Sequence, residues 1–132
     1  MTDKALRCAV SGDFDAIADI WHASASLPGV GPPNMPSVAD LRRRIDDEIA
    51  AGWKVTVAVQ NGTVCGFAAI MPADAVLDQL FMKPGFIGSG FGWALFENCI
   101  ERMPAGFTLH TASSNENGRR FYEKAGMQIL RH

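Results

Sequence analysis

Glycines crowd one short turn of this chain, at Gly85, Gly88, Gly90 and Gly92. The surrounding segment, residues 77–95 (LDQLFMKPGFIGSGFGWAL), has the pattern of a strand, a tight turn and the start of an amphipathic helix. Backbone N–H groups in such a turn approach a ligand without a Cβ in the way. The helix start adds unpaired N–H groups and a positive dipole end, which suit a pyrophosphate. The alternative is a mobile glycine linker.

A second motif lies downstream, at residues 115–127 (NENGRRFYEKAGM). Together the two motifs resemble the GCN5-related N-acetyltransferase (GNAT) family, whose pyrophosphate turn reads Q/R-x-x-G-x-G/A and whose next helix commonly reads N-x-x-A-x-x-F-Y-x-x-x-G-F. The resemblance covers the C-terminal half by motif and the N-terminal half by element order only. The turn here is IGSGFG at residues 87–92, and the helix supplies Asn115, Gly118, Phe121, Tyr122, Gly126 and Met127.

The chain departs from the family pattern at three positions. Ile87 stands where the family usually has Gln or Arg, Gly118 replaces Ala, and Met127 replaces Phe. Because the turn acts mostly through main-chain N–H groups, we expect a weaker but intact site. Other nucleotide signatures fit worse, since the third glycine of G-x-G-x-x-G would fall on Trp93 and no Gly-Lys-Ser/Thr is present.

The resemblance implies acetyl-CoA as cosubstrate, without a metal. In the family fold, the strand before the glycine turn and the strand after its helix run parallel and splay apart, and acyl-CoA occupies the gap. The resemblance assigns the pantetheine amides to free backbone groups of Leu80, Phe81 and Met82. It assigns the diphosphate to the turn and helix start, at Ile87, Gly88, Ser89, Gly90, Phe91, Gly92 and Trp93.

Acetyl transfer needs a neutral amine, stabilisation of a developing oxyanion and protonation of the leaving thiolate. The resemblance places Tyr122, the sole tyrosine, near the CoA sulfur as general acid. Tyr122 could instead be a core aromatic, because it shares a helical stripe with Gly118, Phe121 and Ala125. Asn115 matches a cofactor-contacting Asn of the family and could also cap its helix.

The general base is open. Asp78 lies on the strand that leads to the glycine turn and could accept the amine proton, although strand alternation could equally point it at solvent. His110, on the neighbouring strand, is a second candidate. His22, at the end of the first helix, is a candidate substrate contact.

The elements that would position these residues follow the order β-α-α-β-β-β-α-β-α. The N-terminal part predicts a strand near residues 5–10, a helix over 13–23, an apolar proline-rich loop over a cleft at 25–36, and a helix capped by Ser37. Arg42, Arg43 and Arg44 each have an acid four residues on, which predicts a self-paired solvated face.

The C-terminal part predicts strands at 53–60 and 63–71 joined by Asn61-Gly62, and strands at 76–82 and 107–112. Pro104 ends the helix between the last two strands, and Ser113, Ser114 or Asn115 caps the final helix. This is a mixed α/β GNAT-like fold with a splayed central sheet, in which the family's last strand is missing. Either the chain ends early, or a partner chain, as in a homodimer, or a shortened sheet fills that edge.

The composition predicts a single domain over residues 1–132, since 48% of the residues are hydrophobic. A net charge of -2 without a basic run argues against nucleic-acid and anionic-membrane partners. No signal-peptide pattern is visible, so we expect a cytoplasmic protein. Cys8, Cys65 and Cys99 are predicted to be buried reduced thiols, with neither a metal nor a disulfide.

The expected function is therefore acyl-CoA-dependent N-acetyl transfer, by direct attack of a small-molecule or peptide amine. One alternative is a non-catalytic GNAT-fold module that binds acyl-CoA or a protein partner. A more distant one is an unrelated phosphate-binding enzyme. The acceptor's pocket would be built from the first two helices and their loop, which carry no recognisable motif, so the sequence leaves the acceptor and the preferred acyl chain open.

Overall fold

A computed structural model describes residues 4–87, 89–110 and 115–127. Within these ranges, five strands form one sheet in the order β1-β2-β3-β4-β5. The strands are β1 Lys4–Cys8, β2 Lys54–Gln60, β3 Thr63–Met71, β4 Val76–Met82 and β5 Thr108–Leu109. The helices are α1 Phe14–Ala25, α2 Val38–Ala50, α3 Phe91–Arg102 and α4 Glu116–Lys124.

The sheet is mixed, with one parallel pair at its end. Strands β1 to β4 run antiparallel to their neighbours, and β5 runs parallel to β4. The predicted α/β fold class and element order are confirmed. The described part of β5 is shorter than predicted; Ser113, Ser114 and residues 128–132, where a further strand was expected to be missing, lie outside the described residues.

Helices cover both faces of the sheet. On one face α1 and α2 pack through Ile17, Trp21, Leu41 and Ile45 against Phe67 and other residues of β2 and β3. On the other face α3 packs through Leu95, Phe96 and Cys99, joined by Phe121 and Tyr122 of α4. A sheet buried on both sides needs apolar residues at successive positions, and residues 65–70 of β3 are all buried.

Local sequence signals set several element ends. The Ser37 side chain accepts a hydrogen bond of 3.1 Å from the Asp40 N–H, as expected of an N-cap. Asn61 and Gly62 both have positive φ, of 52° and 81°, which a two-residue hairpin of type I′ requires. None of the helices in the described ranges has the length and apolar character to cross a membrane.

Two surface expectations are wrong. Cys8 is exposed on the edge strand β1, where Arg102 at the end of α3 donates a hydrogen bond of 3.4 Å to its sulfur, whereas Cys65 and Cys99 are buried as predicted. Of the three arginines on α2, only Arg42 pairs with the acid four residues on, Asp46, at 3.0 Å. Arg43 pairs with Asp40 instead, and Arg44 lies over the ring of Trp21.

An ion pair ties the start of α1 to β1. Arg7 donates hydrogen bonds of 2.7 and 3.0 Å to the carboxylate of Asp13, and the Val10 N–H donates a third, of 2.8 Å. The Asp13 side chain is only 8% exposed. The Arg7 hydrogen bond is the main cause that holds the pKa of Asp13 below its ordinary value of 3.8, while burial acts in the opposite direction.

We expect Asp13→Asn to lower the free energy of unfolding by about 1–3 kcal/mol at pH 7, because a nearly buried charged hydrogen bond is lost. The folded pKa is depressed, so this stabilisation is complete above pH 3.8 and is lost as the pH falls through the folded value. Urea denaturation at a series of pH values measures it. Asp19→Asn, at an exposed position of α1, is the control. A difference between Asp13→Asn and wild type that stays constant at the lowest pH would contradict the assignment.

Candidate active site

Among the described residues, strand β4 has a full partner on one side only. It pairs with β3 from Val76 to Met82, but with β5 only at Val76 and Leu77. The side of Leu80, Phe81 and Met82 that faces away from β3 therefore has no strand partner among the described residues. The Met82 carbonyl accepts a hydrogen bond from the Ser24 hydroxyl of α1. Within the described residues, a gap thus separates this end of β4 from α4, and backbone groups of β4 face it.

A cavity of about 570 Å³ fills this gap. Its walls come from the end of α1 and the following loop, from β4, and from α4. The predicted cofactor residues that line it are Leu80, Phe81, Met82, Ile87, Gly92, Asn115 and Tyr122. Of the remaining ones, Ser89, Gly90, Phe91 and Trp93 do not line it, and Gly88 lies outside the described residues.

The start of α3 offers the N–H groups. Gly90 is the N-cap residue, with φ of 92°, a conformation that strongly favours glycine. The N–H groups of the first helical turn, at Phe91, Gly92 and Trp93, have no acceptor within the helix. In the preceding turn, the Ile87 N–H donates to the Pro84 carbonyl at 3.5 Å, and the Ser89 N–H donates to the Phe86 carbonyl at 3.1 Å. Free donors therefore belong to the helix start more than to the turn.

Asn115 folds over the start of α4. Its side-chain oxygen accepts a hydrogen bond of 3.1 Å from the Gly118 N–H, and it is the N-cap of α4. A Cβ on Gly118 would lie 2.4 Å from the Asn115 Nδ2. The departure from Ala to Gly at this position therefore gives the Asn115 side chain the space to cap the helix beside the cavity.

A second cavity, of about 330 Å³, lies on the α1 and α2 side of β4. The proline-rich loop covers it, as predicted, through Val30, Pro32 and Met35. Its polar lining includes Arg44, Asp78, Gln79 and His110. The two cavities share Val30, Leu80, Phe81, Asn115 and Tyr122, so they meet where β4 faces α4.

A β-bulge aims Asp78 into the second cavity. Ala69 of β3 lies opposite Gln79 and Ile70 opposite Leu77, which leaves Asp78 without an opposite residue. The extra residue places Asp78 and Gln79 in succession on the cavity side, since bulges break the alternation of side chains. The Trp53 indole N–H donates a hydrogen bond of 2.7 Å to Asp78 Oδ2. Oδ1 has no hydrogen-bond partner within residues 4–87, 89–110 and 115–127.

Tyr122 lies at the junction of the two cavities and also packs in the core. Its ring centroid lies 5.9 Å from that of Phe96 and 5.3 Å from that of Phe121. Burial among these rings raises the pKa of the Tyr122 phenol well above its ordinary value. Its hydroxyl makes no hydrogen bond to the part of the chain that the structure describes. The catalytic and core interpretations of this residue are therefore compatible.

The two histidine candidates differ in position. His110 lines the second cavity and is exposed, whereas His22 lines neither cavity. His132 lies outside the described residues. Nowhere in the described ranges do three His, Cys, Asp or Glu side chains gather to hold a metal ion.

Sequence reasoning missed Ser24 and Arg44 as cavity residues. Nothing in the pattern around Ser24 distinguishes it from any helix residue. Arg44 was assigned to a solvated helix face, although its position one turn after Leu41 and beside Ile45 placed it at the edge of the apolar stripe.

Several known proteins are similar to this chain. A mycothiol acetyltransferase from Thermobispora bispora is 28% identical over 98 residues, which are 74% of this chain and 32% of the relative. The chain thus spans about a third of that relative's length. An N-acetyltransferase from Staphylococcus aureus Mu50 superimposes with a TM-score of 0.77 at 20% identity, over 98% of this chain and 86% of the other.

The yncA protein from Salmonella typhimurium, solved with its cofactor acetyl-CoA, gives a TM-score of 0.77 at 18% identity, over 98% of this chain and 82% of the other. At these identities the two structures show the shared fold. The model of the acetyltransferase (GNAT) family matches residues 15–127, a range that includes β4, the start of α3 and all of α4. The match thus spans the open edge of β4 and the helix start beside it, and the chain belongs to the GNAT acetyltransferase family.

Proposed function

We propose that this protein transfers an acetyl group from acetyl-CoA to the primary amine of a small molecule or peptide. The observation that carries the proposal is the meeting of two cavities at Tyr122. One cavity is bordered by the open edge of β4 and Gly92 of α3, and the other contains the carboxylate of Asp78. A thioester and an amine that enter from opposite sides would meet at this junction.

The first cavity fits the long arm of acetyl-CoA. The backbone groups of residues 80–82 that face away from β3, apart from the Met82 carbonyl bonded to Ser24, would match the amides of pantetheine, since a strand edge pairs with any extended chain that carries amides. The N–H groups at the start of α3, with the positive end of its dipole, would receive the diphosphate. The N-cap Asn115 also lines this cavity and would contact the same arm.

Acetyl-CoA supplies the thioester: the amine nitrogen bonds to its carbonyl carbon, the carbon–sulfur bond breaks, and an N-acetyl product and the CoA thiol result. Asp78 would accept the amine proton through Oδ1, while the Trp53 indole holds Oδ2. Tyr122 would donate a hydrogen bond, and then its proton, to the departing sulfur. Asp78 and Tyr122 thus remove and supply one proton each.

A buried phenol is a weak acid, but the sulfur beside it is affected in the same direction. Burial destabilises every anion, so a thiolate formed in the cleft is a stronger base than in water. The neighbouring Cys99 illustrates this, because burial raises its pKa to about 11. Burial therefore raises both the pKa of the phenol that donates the proton and the pKa of the thiol that forms when the sulfur accepts it. The phenol remains protonated over the working pH range.

A non-catalytic acyl-CoA-binding module is the second candidate. It is favoured by Ile87, which is 59% exposed where the family usually has a polar side chain. It is also favoured by the N–H groups of Ile87 and Ser89, which are already used within the turn. Release of CoA thiol from acetyl-CoA in the presence of amines separates the two candidates, because a binding module gives none above the rate without amine.

We expect Gly92→Leu to weaken CoA binding at least tenfold. A Cβ at Gly92 would lie 3.8 Å from both Met82 and Phe121, two residues that line the first cavity, so the fold accommodates the side chain while the cavity fills. Gly85→Leu is the matched control, because a Cβ there meets nothing within 4 Å and Gly85 does not line the cavity. Calorimetric titration with CoA measures both, and equal affinities of the two variants would contradict this assignment.

We expect Tyr122→Phe to lower kcat by about 100-fold or more, the usual contribution of a general acid. The variant keeps the ring contacts with Phe96 and Phe121, so the affinity for CoA and the thermal unfolding temperature should change little. Steady-state thiol release, with CoA titration as the control, tests this. Unchanged turnover would restrict Tyr122 to its core role.

We expect Asp78→Asn to lower kcat by about 100-fold with an unchanged affinity for CoA. The Asn oxygen can still accept the hydrogen bond from Trp53, but an amide cannot take the amine proton. Asp74→Asn, an exposed carboxylate just before β4, is the control. If the deficit of Asp78→Asn is no larger than that of the control, Asp78 is not the base.

A further inference from the structure

Arg44 differs from the two arginines beside it on α2. Arg42 pairs with Asp15 at 2.9 Å and Asp46 at 3.0 Å, and Arg43 pairs with Asp40. Arg44 forms no ion pair and donates no hydrogen bond to any residue in the described ranges. Of these three arginines, Arg44 is therefore the one whose charge has no carboxylate partner in the described ranges.

Trp21 holds the Arg44 guanidinium at the second cavity. The guanidinium carbon lies 4.9 Å from the centre of the Trp21 ring, a distance at which a cation is attracted to the face of an indole. Trp21 is only 5% exposed and packs against Trp53 at 5.7 Å between ring centres. The ring beneath the charge is thus fixed, while the N–H groups of the guanidinium remain available to a ligand.

The second cavity is also lined by Asp78, which carries the opposite charge. The indole N–H of Trp53 binds Asp78, while Trp21 lies under Arg44. The two opposite charges line one cavity without forming an ion pair within 4 Å. A ligand that carries both an amine and an anionic group would match the two charges at once.

We propose that the acetyl acceptor is an amine that also carries a carboxylate or phosphate group, and that Arg44 binds this anionic group. The planar guanidinium presents paired N–H groups that match the oxygens of either anion. The amine would then lie toward Asp78 and the junction at Tyr122. This inference rests on the proposed acetyl transfer, and it assigns Arg44 to acceptor binding and not to the chemical step.

Paired acceptors that differ only in the anionic group test the inference. The carboxylate set is glycine, β-alanine, 4-aminobutyrate, 5-aminopentanoate and 6-aminohexanoate, each against its own carboxamide, so that the distance from amine to anion is varied. The phosphate pair is O-phosphoethanolamine against ethanolamine. CoA release at saturating acetyl-CoA gives kcat and KM. We expect at least one anionic member to exceed its neutral partner in kcat/KM by about 10- to 100-fold, the size of one charge-assisted contact.

Variants at Arg44 and Arg43 test whether Arg44 causes the preference for anionic amines. Arg44→Gln should raise KM for the preferred anionic amine by about 10- to 100-fold, while kcat and the KM for acetyl-CoA change less than twofold and the neutral partner is unaffected. Arg43→Gln, one residue away and directed to Asp40, should change none of these. Equal kcat/KM for all anionic and neutral partners, or a preference that survives Arg44→Gln, would overturn the inference.

A binding measurement keeps the inference separate from the catalytic proposal. If no amine releases CoA, acetyl transfer fails for these acceptors, and intrinsic tryptophan fluorescence, to which Trp21, Trp53 and Trp93 contribute, then reports equilibrium binding of the same pairs. Tighter binding of an anionic member to wild type, lost at least tenfold in Arg44→Gln, supports the anion site without turnover. Fluorescence titrations that do not distinguish anionic from neutral members, or wild type from Arg44→Gln, overturn it.

Discussion

The whole site follows from how the backbone hydrogen bonds of strand β4 are distributed between its two neighbours. On the β3 side its ladder is complete apart from the bulge at Asp78, while on the β5 side the described residues pair with it at Val76 and Leu77 only. Backbone groups that leave a ladder need new partners when buried. At Met82 the Ser24 hydroxyl provides one, and at Leu80 the cavity leaves the backbone groups that face away from β3 open to a ligand.

The two faces of β4 then acquire different chemistry from the helices that cover them. On the α1 and α2 face, the Trp53 indole donates a hydrogen bond to Asp78, and the Trp21 indole lies under the cation of Arg44. On the α3 and α4 face, Phe96 and Phe121 fix the ring of Tyr122. Aromatic packing is therefore the means by which a small core fixes three polar groups around one junction. Large rigid rings suit this purpose because they bury much area with few rotatable bonds.

Much of the fold was predictable from the sequence, because its signals are local. The Asn61-Gly62 turn and the Ser37 cap depend on residues adjacent in the chain, and both appear as predicted. The direction of Asp78 was not predictable, since a bulge of one residue reverses the alternation on which such a prediction depends. The prediction for Arg44 was wrong for a related reason. An ion pair with an acid four residues on contributes only about 0.2–0.5 kcal/mol on an exposed helix, and Arg44 makes a long-range contact with Trp21 instead of this pair.

The sequence of the glycine turn before α3 likewise predicts only part of its structure, because the signal is local. Four glycines indicate that the backbone can approach a ligand, but they do not say which N–H groups are already used. The short turn Pro84–Phe86 uses the N–H groups of Ile87 and Ser89 for its own closure. The N–H groups of Phe91, Gly92 and Trp93 have no acceptor within their own helix, because no helical carbonyl precedes its first turn. An anion at this edge would therefore depend on where α3 begins, and the positive φ of Gly90 sets that point.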